Sequence, residues 1–413
     1  MPAQRVSAAS SPLRFAGRRI CMLTYVFSPK TIPPLYNAAR SLVKAGAEVD
    51  IVCMSLDPAA PRRESAKEGF HIRWMRHRSL AFFSRKFGLS PRHTLHAAVQ
   101  YVATYVEYLF RCVRLGVQAR ADLYEAHDLP SLLPAAVVSR IAKRPLVYYA
   151  HELFPEMQKT VRFAGLWRLI EKVCIRGAEV VVTPEENRSE IYRREFSVHK
   201  PVLTVLNCPP FREHVRTSVL RDELRARGIS ASTIVLYQGL LADARCMREL
   251  LEASRHFDEG VRLVVMGTGY NEWADPQALF PHLSNVTFLP RVPYDEVFAY
   301  TSSADIGVLL YRNDCRNNFY CAPNKLYEYA AAGLPVIAPR FPGIDKTLLS
   351  EQFGLTVDPE SPEEIARAIN RLASDAALRE VFGQNALRLA RARYSWEKEF
   401  ETIADAYASL MKR

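Results

Sequence analysis

Residues 322–339 read Ala-Pro-Asn-Lys-Leu-Tyr-Glu-Tyr-Ala-Ala-Ala-Gly-Leu-Pro-Val-Ile-Ala-Pro. Asn324 is a good helix N-cap residue, so a helix is expected from about Lys325 to Ala332. Gly333 stops it, and Pro335 leads into a short apolar run of strand character. The first turn of such a helix carries backbone N–H groups without intrahelical partners and the positive end of the macrodipole. Together these favour an anion such as a diphosphate. Lys325 adds a formal charge there, and Glu328, one turn on, is placed to accept from ribose hydroxyls. The residues alone fit an ordinary capped helix with a surface Lys and Glu equally well.

The same alternation of strand and helix extends outward in both directions. In the second half, strands are expected at Thr233–Gln238, Val261–Met266, Val286–Leu289, Ile306–Leu310, Pro335–Ala338 and Leu355–Val357, with a helix at Met247–Ser254. In the first half, Arg19–Phe27 reads as a buried strand, Tyr36–Ala45 as a helix ending at Gly46, and Glu48–Met54 as the next strand. His71–Met75, Asp122–Ala126, Pro145–Ala150, Val180–Thr183 and Leu203–Leu206 continue the series, with a long apolar-faced helix at Thr94–Val117. Strand–helix–strand order implies a parallel sheet with right-handed crossovers. Two successive doubly wound α/β domains are expected, joined near Pro209-Pro210. The boundaries are a loose tail at 1–16, a first domain at 17–208, a second at 209–393 and a closing helix within 394–413. Two such domains facing each other would place the ligand in the cleft between them, outside the carboxyl ends of the strands.

Charge separates the halves. Residues 1–208 hold 31 Lys+Arg against 17 Asp+Glu, and the remainder holds 24 against 27, within a chain of net charge +11. No acid lies between Glu68 and Glu107, a window that contains Arg73, Arg76, Arg78, Arg85, Lys86 and Arg92 interleaved with Trp74, Phe82, Phe83 and Phe87. Basic and aromatic residues together over 73–92 suit an anionic membrane face or an anionic acceptor, or equally a solubilising face over core aromatics. Nucleic acid ranks well below these. The eight cysteines form no Cys-x2-Cys pair, which gives a zinc or redox site little support and fits buried thiols in a reducing compartment. No signal-peptide core and no apolar run of about 18 residues is present. A cytoplasmic protein, peripheral on the inner face of the cell membrane, is the expectation.

Pro323-Asn-Lys-Leu-Tyr-Glu-Tyr-Ala-Ala-Ala-Gly-Leu-Pro-Val-Ile337 resembles the donor-binding segment of family 4 retaining glycosyltransferases of the GT-B fold. The likeness extends along the chain from about Arg18. It takes in Tyr237-Gln-Gly-Leu-Leu-Ala-Asp-Ala-Arg245, Val286-Thr-Phe-Leu-Pro-Arg-Val-Pro293, Ala126-His-Asp-Leu-Pro130, Tyr149-Ala-His-Glu-Leu-Phe154 and Ser395-Trp-Glu397. In this order and spacing they specify the family more sharply than any one does.

The resemblance implies roles residue by residue. Arg245 and Lys325 belong on the donor diphosphate, and His151 lies near the transferred sugar and phosphate, with a structural histidine as its alternative. Glu328 belongs on the ribose beside Asn324 and Leu326, and Arg291-Val292 present backbone to the base. Gly239, Gly267 and Gly269 let the chain turn beside the donor, although a lone Gly-x-Gly is equally a plain strand-to-helix turn. His127, Asp128 and Glu152 fall on the acceptor side, and Asp128 serves as well as a helix cap. The resemblance further implies a front-face retaining reaction with no protein nucleophile, no metal and no cofactor beyond the nucleotide-sugar. An acceptor that is a sugar or lipid-linked glycan, in cell-surface polysaccharide or glycoconjugate synthesis, is the expectation, with a soluble sugar or a protein as the open alternatives.

Two departures stand out. Many members carry an acid eight residues before Glu328, where this chain has Tyr320. Many carry Arg after the glycine matching Gly239, where this chain has Leu240. A nucleotide-sugar 2-epimerase of the same fold and a non-catalytic partner subunit are the rival readings.

Overall fold

The computed structural model describes residues 14–55, 57, 59–76, 95–157 and 161–412. The basic-aromatic stretch from Arg78 to Arg92, and the tail at 1–13, lie outside the described residues. The chain divides into two compact units. The first comprises Met1–Pro184, Arg188–Val205 and Phe400–Arg413, and the second Glu185–Asn187 and Leu206–Glu399.

The first unit is built on the strands β1 (Arg19–Thr24), β2 (Glu48–Ser55), β3 (Arg63–Ser65), β4 (His71–Arg76), β5 (Leu123–His127), β6 (Leu146–Tyr149), β7 (Val180–Thr183) and β8 (Val202–Thr204). Their order in the sheet is β3-β4-β2-β1-β5-β6-β7-β8, parallel throughout except for β3, which pairs antiparallel with β4 at the edge. Sequence reading missed β3. Its three residues are all exposed and carry no apolar pattern. The inner strands β2, β5, β6 and β7 are buried along nearly their whole length, as a parallel sheet covered on both faces requires. The helices of this half are α1 (Pro33–Lys44), α2 (Leu95–Ala119), α3 (Leu129–Ala142), α4 (Ala164–Cys174) and α5 (Glu186–Glu195).

The second unit holds β9 (Thr233–Leu241), β10 (Val261–Gly269), β11 (Val286–Leu289), β12 (Ile306–Val308), β13 (Val336–Pro339) and β14 (Gly354–Val357), in the order β11-β10-β9-β12-β13-β14 and all parallel. Alternate residues of β9 face opposite cores. Ile234 and Leu236 join one apolar cluster, and Val235 and Tyr237 the other. The helices are α6 (Val219–Ala226), α7 (Met247–Ala253), α8 (Pro276–Leu279), α9 (Tyr294–Thr301), α10 (Arg316–Phe319), α11 (Asn324–Ala331), α12 (Pro342–Glu351), α13 (Pro362–Ser374) and α14 (Ala376–Ala392); the last helix, α15 (Trp396–Leu410), starts in this unit and from Phe400 onward belongs to the first.

Two local expectations change. Pro323, not Asn324, occupies the N-cap of α11 and makes no side-chain cap. Its φ of −75° and ψ of 128° supply the extended residue that precedes a helix, which draws Asn324 into the first turn. Strands β9 and β10 each run three residues further than their apolar cores. Gly239, Gly267 and Gly269 therefore lie within paired strand rather than in a strand-to-helix turn, with Gly239 directly opposite Gly267.

Candidate active site

The segment that decided the reading builds one end of the second unit. On α11 the residues Leu326, Tyr327, Tyr329 and Ala330 are buried, while Lys325 and Glu328 are half-buried one turn apart on the opposite side. Lys325 lies across the carboxyl end of β9. A Cβ on Gly239 would stand 2.7 Å from its Cε and 2.8 Å from its Nζ, and Gly239 has φ +125°. Any other residue would displace the lysine and strain the strand. Gly267 serves the same packing indirectly, because a Cβ there would fall 1.8 Å from the Gly239 carbonyl oxygen. Gly269 is needed against Trp273.

The lysine Nζ sits 4.3 Å from the ring centroid of Tyr237, and the Arg245 guanidinium 4.0 Å from that of Tyr311. Burial, and then the charge of Arg245, depress the Lys325 ammonium to about 7, with Glu328 opposing. Two cations thus stand within electrostatic reach of each other at a helix start. Lys325 makes no ion pair among the described residues. Glu328 accepts from Gln238 Nε2 at 2.7 Å, and Gln238 Oε1 accepts from Thr301 Oγ1, also at 2.7 Å. The carboxylate is therefore held by a side-chain chain running from α9 through β9. Burial raises its pKa. Glu328 also walls a hollow lined by Pro209, Pro210, Tyr294, Phe298 and Ala331.

The remaining candidates of this unit surround the same strand ends. Arg291 is exposed and Val292 half-buried in the turn between β11 and α9. Tyr320 is half-buried, follows the short α10 and packs edge-on against Phe319. Sequence reading passed over Tyr237, Tyr311, Gln238 and Thr301, whose signals are single residues in strands or loops.

The first unit carries a second polar cluster. Glu125 sits mid-strand in β5, between Met22 of β1 and Val147 of β6, and is fully buried. Its Oε2 is 2.9 Å from His127 Nε2, and His127 Nδ1 is 2.9 Å from His151 Nε2. His127 stacks on Tyr149 with centroids 4.6 Å apart, and Tyr149 and Tyr407 share a hydroxyl hydrogen bond of 2.7 Å. Burial raises Glu125 to about 8 and lowers His127 to about 3, so the uncharged forms are favoured at neutral pH. A neutral Glu125 donates to His127 Nε2. That leaves His127 Nδ1–H to donate to His151 Nε2, and His151 then presents Nδ1–H. Ionising Glu125 reverses every donor in the row.

Asp128 does not cap α3. Its side chain accepts instead from the Glu152 backbone N–H at 3.2 Å. Its φ of +63° with ψ 162° is a conformation that side chains other than glycine's rarely adopt, and such strain concentrates at functional sites. Burial and the nearby Glu152 charge raise its carboxyl to about 7. Glu152 pairs with the buried Arg188 at 3.2 Å, and Arg188 also donates to the His151 carbonyl oxygen. Among the described residues no three His, Cys, Asp or Glu stand together in a way that could hold a metal ion.

These clusters coincide with two known domains. Residues 35–208 match the Glycosyl transferase 4-like domain, and residues 232–375 match Glycosyl transferases group 1. The chain is a group 1 glycosyltransferase of the GT-B fold. A D-inositol 3-phosphate glycosyltransferase of Corynebacterium urealyticum is 25% identical over 59% of this glycosyltransferase and 59% of its own length. An uncharacterised glycosyltransferase of Methanocaldococcus jannaschii is 24% identical over 95% of this chain and 99% of its own. Among solved structures, Anabaena HepE in complex with UDP and glucose superposes with a TM-score of 0.72 at 15% identity, covering 95% of this glycosyltransferase and all of that chain.

Proposed function

We propose that this glycosyltransferase transfers a hexosyl-type sugar from a nucleoside-diphosphate donor with retention of anomeric configuration. The carrying observation is Lys325, packed over Gly239 at the start of α11 and depressed first by burial and then by the charge of Arg245. A diphosphate brought there relieves the repulsion of the two cations. Its charge grows as the glycosidic bond breaks, so the same contacts tighten in the transition state. Glu328, oriented by Gln238, takes the ribose, with the nucleoside beside the Arg291-Val292 turn. His151, presenting Nδ1–H, donates to the sugar or phosphate. The bond from the anomeric carbon to the phosphate oxygen breaks and the bond to the acceptor oxygen forms on the same face, and the departing phosphate takes the acceptor proton. The reading uses neither a protein nucleophile nor a metal. His127, Asp128 and Glu152 are assigned to the side that receives the acceptor, a sugar or lipid-linked glycan.

The test is release of nucleoside diphosphate from UDP-, GDP-, dTDP- and ADP-sugars, with UDP-glucose first in view of the UDP and glucose bound to Anabaena HepE. Release that disappears in Lys325→Ala and survives EDTA is expected, and NMR of the product should show the donor's anomeric configuration. Inverted product overturns the retaining reading. No release and no nucleotide binding from any donor overturns the donor site.

A further inference from the structure

The outer face of one helical layer of the first unit has a composition that a solvent-facing surface rarely has. Helices α2 and α3 pack on each other and both rest on β1. Trp167 of α4 joins the layer by stacking edge-on against Tyr105 of α2 at 4.8 Å and donating to Tyr101 at 3.0 Å. On α2 the solvent-facing positions recur every three or four residues as Val99, Val102, Val106 and Phe110, and Phe110 is 71% exposed. On α4 they are Leu166, Leu169 and Val173, each more than half exposed, with Phe163 immediately before the helix. Isolated exposed apolar residues need no explanation, but two exposed apolar stripes on helices that meet through Trp167 and Tyr105 mark a docking surface.

The charges say what docks. The three helices and the turn after α4 also expose Arg114, Arg140, Lys172 and Arg176. The three helices contain only two acids, and neither faces outward. Glu107 is paired with Arg111 at 2.8 Å, its side chain 16% exposed. Glu171 is fully buried, bonded to the hydroxyls of Tyr148 and Tyr192. A second copy of this chain meeting the same face would bring cation against cation, since Glu156 and Glu195, which neighbouring segments place against α4, are already paired with Arg168 at 3.1 and 3.4 Å. A surface that is itself anionic and offers an apolar layer beneath the charge satisfies both halves of the pattern. No helix among the described residues is long and apolar enough to cross a membrane.

We propose that the outer face of α2 and α4 docks on an anionic lipid bilayer, with Val102, Val106, Phe110, Leu166, Leu169 and Val173 entering the headgroup–acyl boundary and the exposed cations on lipid phosphates. This placement rests on exposure and charge alone and does not depend on the donor reading.

The full chain is sedimented with vesicles of phosphatidylcholine alone, and with vesicles in which about a third is phosphatidylglycerol, at low and at high salt. Binding to the anionic vesicles only is expected, weakened but not abolished by salt. Lys172→Ala/Arg176→Ala should weaken it roughly tenfold or more. Leu166→Ser/Leu169→Ser/Val173→Ser should lose the salt-resistant part. All variants should melt like the parent and keep donor hydrolysis, so a failed donor reading and a failed surface give different results. Equal binding to neutral vesicles, or unchanged binding in both variants, overturns the proposal. So does an absence of vesicle binding by a chain that elutes as a dimer and becomes monomeric in the serine variant, which would make the face a contact between copies.

Discussion

Glu125 and Lys325 are both ionisable groups drawn out of water, and the two units treat them in opposite ways. Glu125 sits in the middle of a sheet, where burial keeps it neutral and His127 receives its hydrogen bond. Lys325 is held against a glycine and an aromatic face beside a second cation, with a single acid opposing. The first arrangement orients a histidine through one carboxyl oxygen, Oε2, while Oε1 stays buried with no hydrogen-bond partner among the described residues. The second is favourable only when an anion joins it. A buried acid kept neutral positions the neighbour that it bonds, whereas a buried cation beside a second cation holds binding energy in reserve for an anionic ligand.

The largest effect is expected at the unbalanced site. Lys325→Ala should lower kcat/KM for sugar transfer by about 100- to 1,000-fold, the loss of about 2.7–4 kcal/mol seen for comparable electrostatic donors. Lys325→Met should at the same time melt no lower than the parent at neutral pH, since it removes a depressed cation. A drop in melting temperature together with the lost activity would show that Lys325 is structural.

At the Glu125 site the outcome depends on what replaces the acid. Glu125→Leu breaks the row of donors and should lower kcat by roughly 10- to 100-fold, with little change in donor KM. Glu125→Gln offers an amide N–H where the neutral carboxyl offers its proton, and should stay active near neutrality. Wild-type activity should fall as pH rises through about 8, where Glu125 ionises and His151 loses its outward donor. The glutamine variant should lack that decline, and an identical alkaline limb in both proteins would remove Glu125 from the row.

Stability should follow the buried acids. Glu125 is raised to about 8, and Asp128 and Glu171 to about 7, so the folded chain holds protons that the unfolded chain releases. Their contribution is fully present below the ordinary carboxylate range and is lost as pH rises through 7 to 8. His127, lowered to about 3, acts in the other direction and only below its ordinary value near 6.5. Lys325, lowered to about 7, also acts in the other direction as pH rises above 7, so the decline in melting temperature should be clearest between pH 5 and 7. Glu171→Gln should flatten that decline by on the order of 1–2 kcal/mol.

Smaller effects separate the two clusters further. Gln238→Ala leaves Glu328 without its orienting amide and should raise donor KM about fivefold, near the 1 kcal/mol of one hydrogen bond, with kcat unchanged. Nucleoside diphosphate binding at pH 7.5 should take up a fraction of a proton as Lys325 recharges, visible as a dependence of the calorimetric enthalpy on buffer. Lys325→Met should abolish the uptake, whereas Glu125→Gln should not.

Much of this could be read directly along the chain. The parallel α/β architecture followed from apolar runs alternating with amphipathic stretches, and most strand ends fell within two or three residues of the observed ones. Lys325 and Glu328 were legible because a helix puts residues one turn apart on one side whatever surrounds it. Glu125 was not singled out. An acid within Leu-Tyr-Glu-Ala-His has no local signal, and its partners come from the end of the same strand and from the loop after β6. Gln238, Thr301 and Glu328 are joined although they lie on a strand and two different helices. The missed N-cap at Pro323 came from weighing a favourable side chain above the backbone restriction of its neighbour.

Local chemistry was therefore enough for the fold class, the helix start that carries Lys325, and the family, because each depends on residues adjacent in sequence or repeating at a fixed period. Which groups lost their water, which polar atoms met, and which apolar side chains of α2 and α4 stayed exposed were settled by packing between distant segments. Desolvation and hydrogen bonding depend on what lies opposite in space, and the linear order of residues does not carry that information locally.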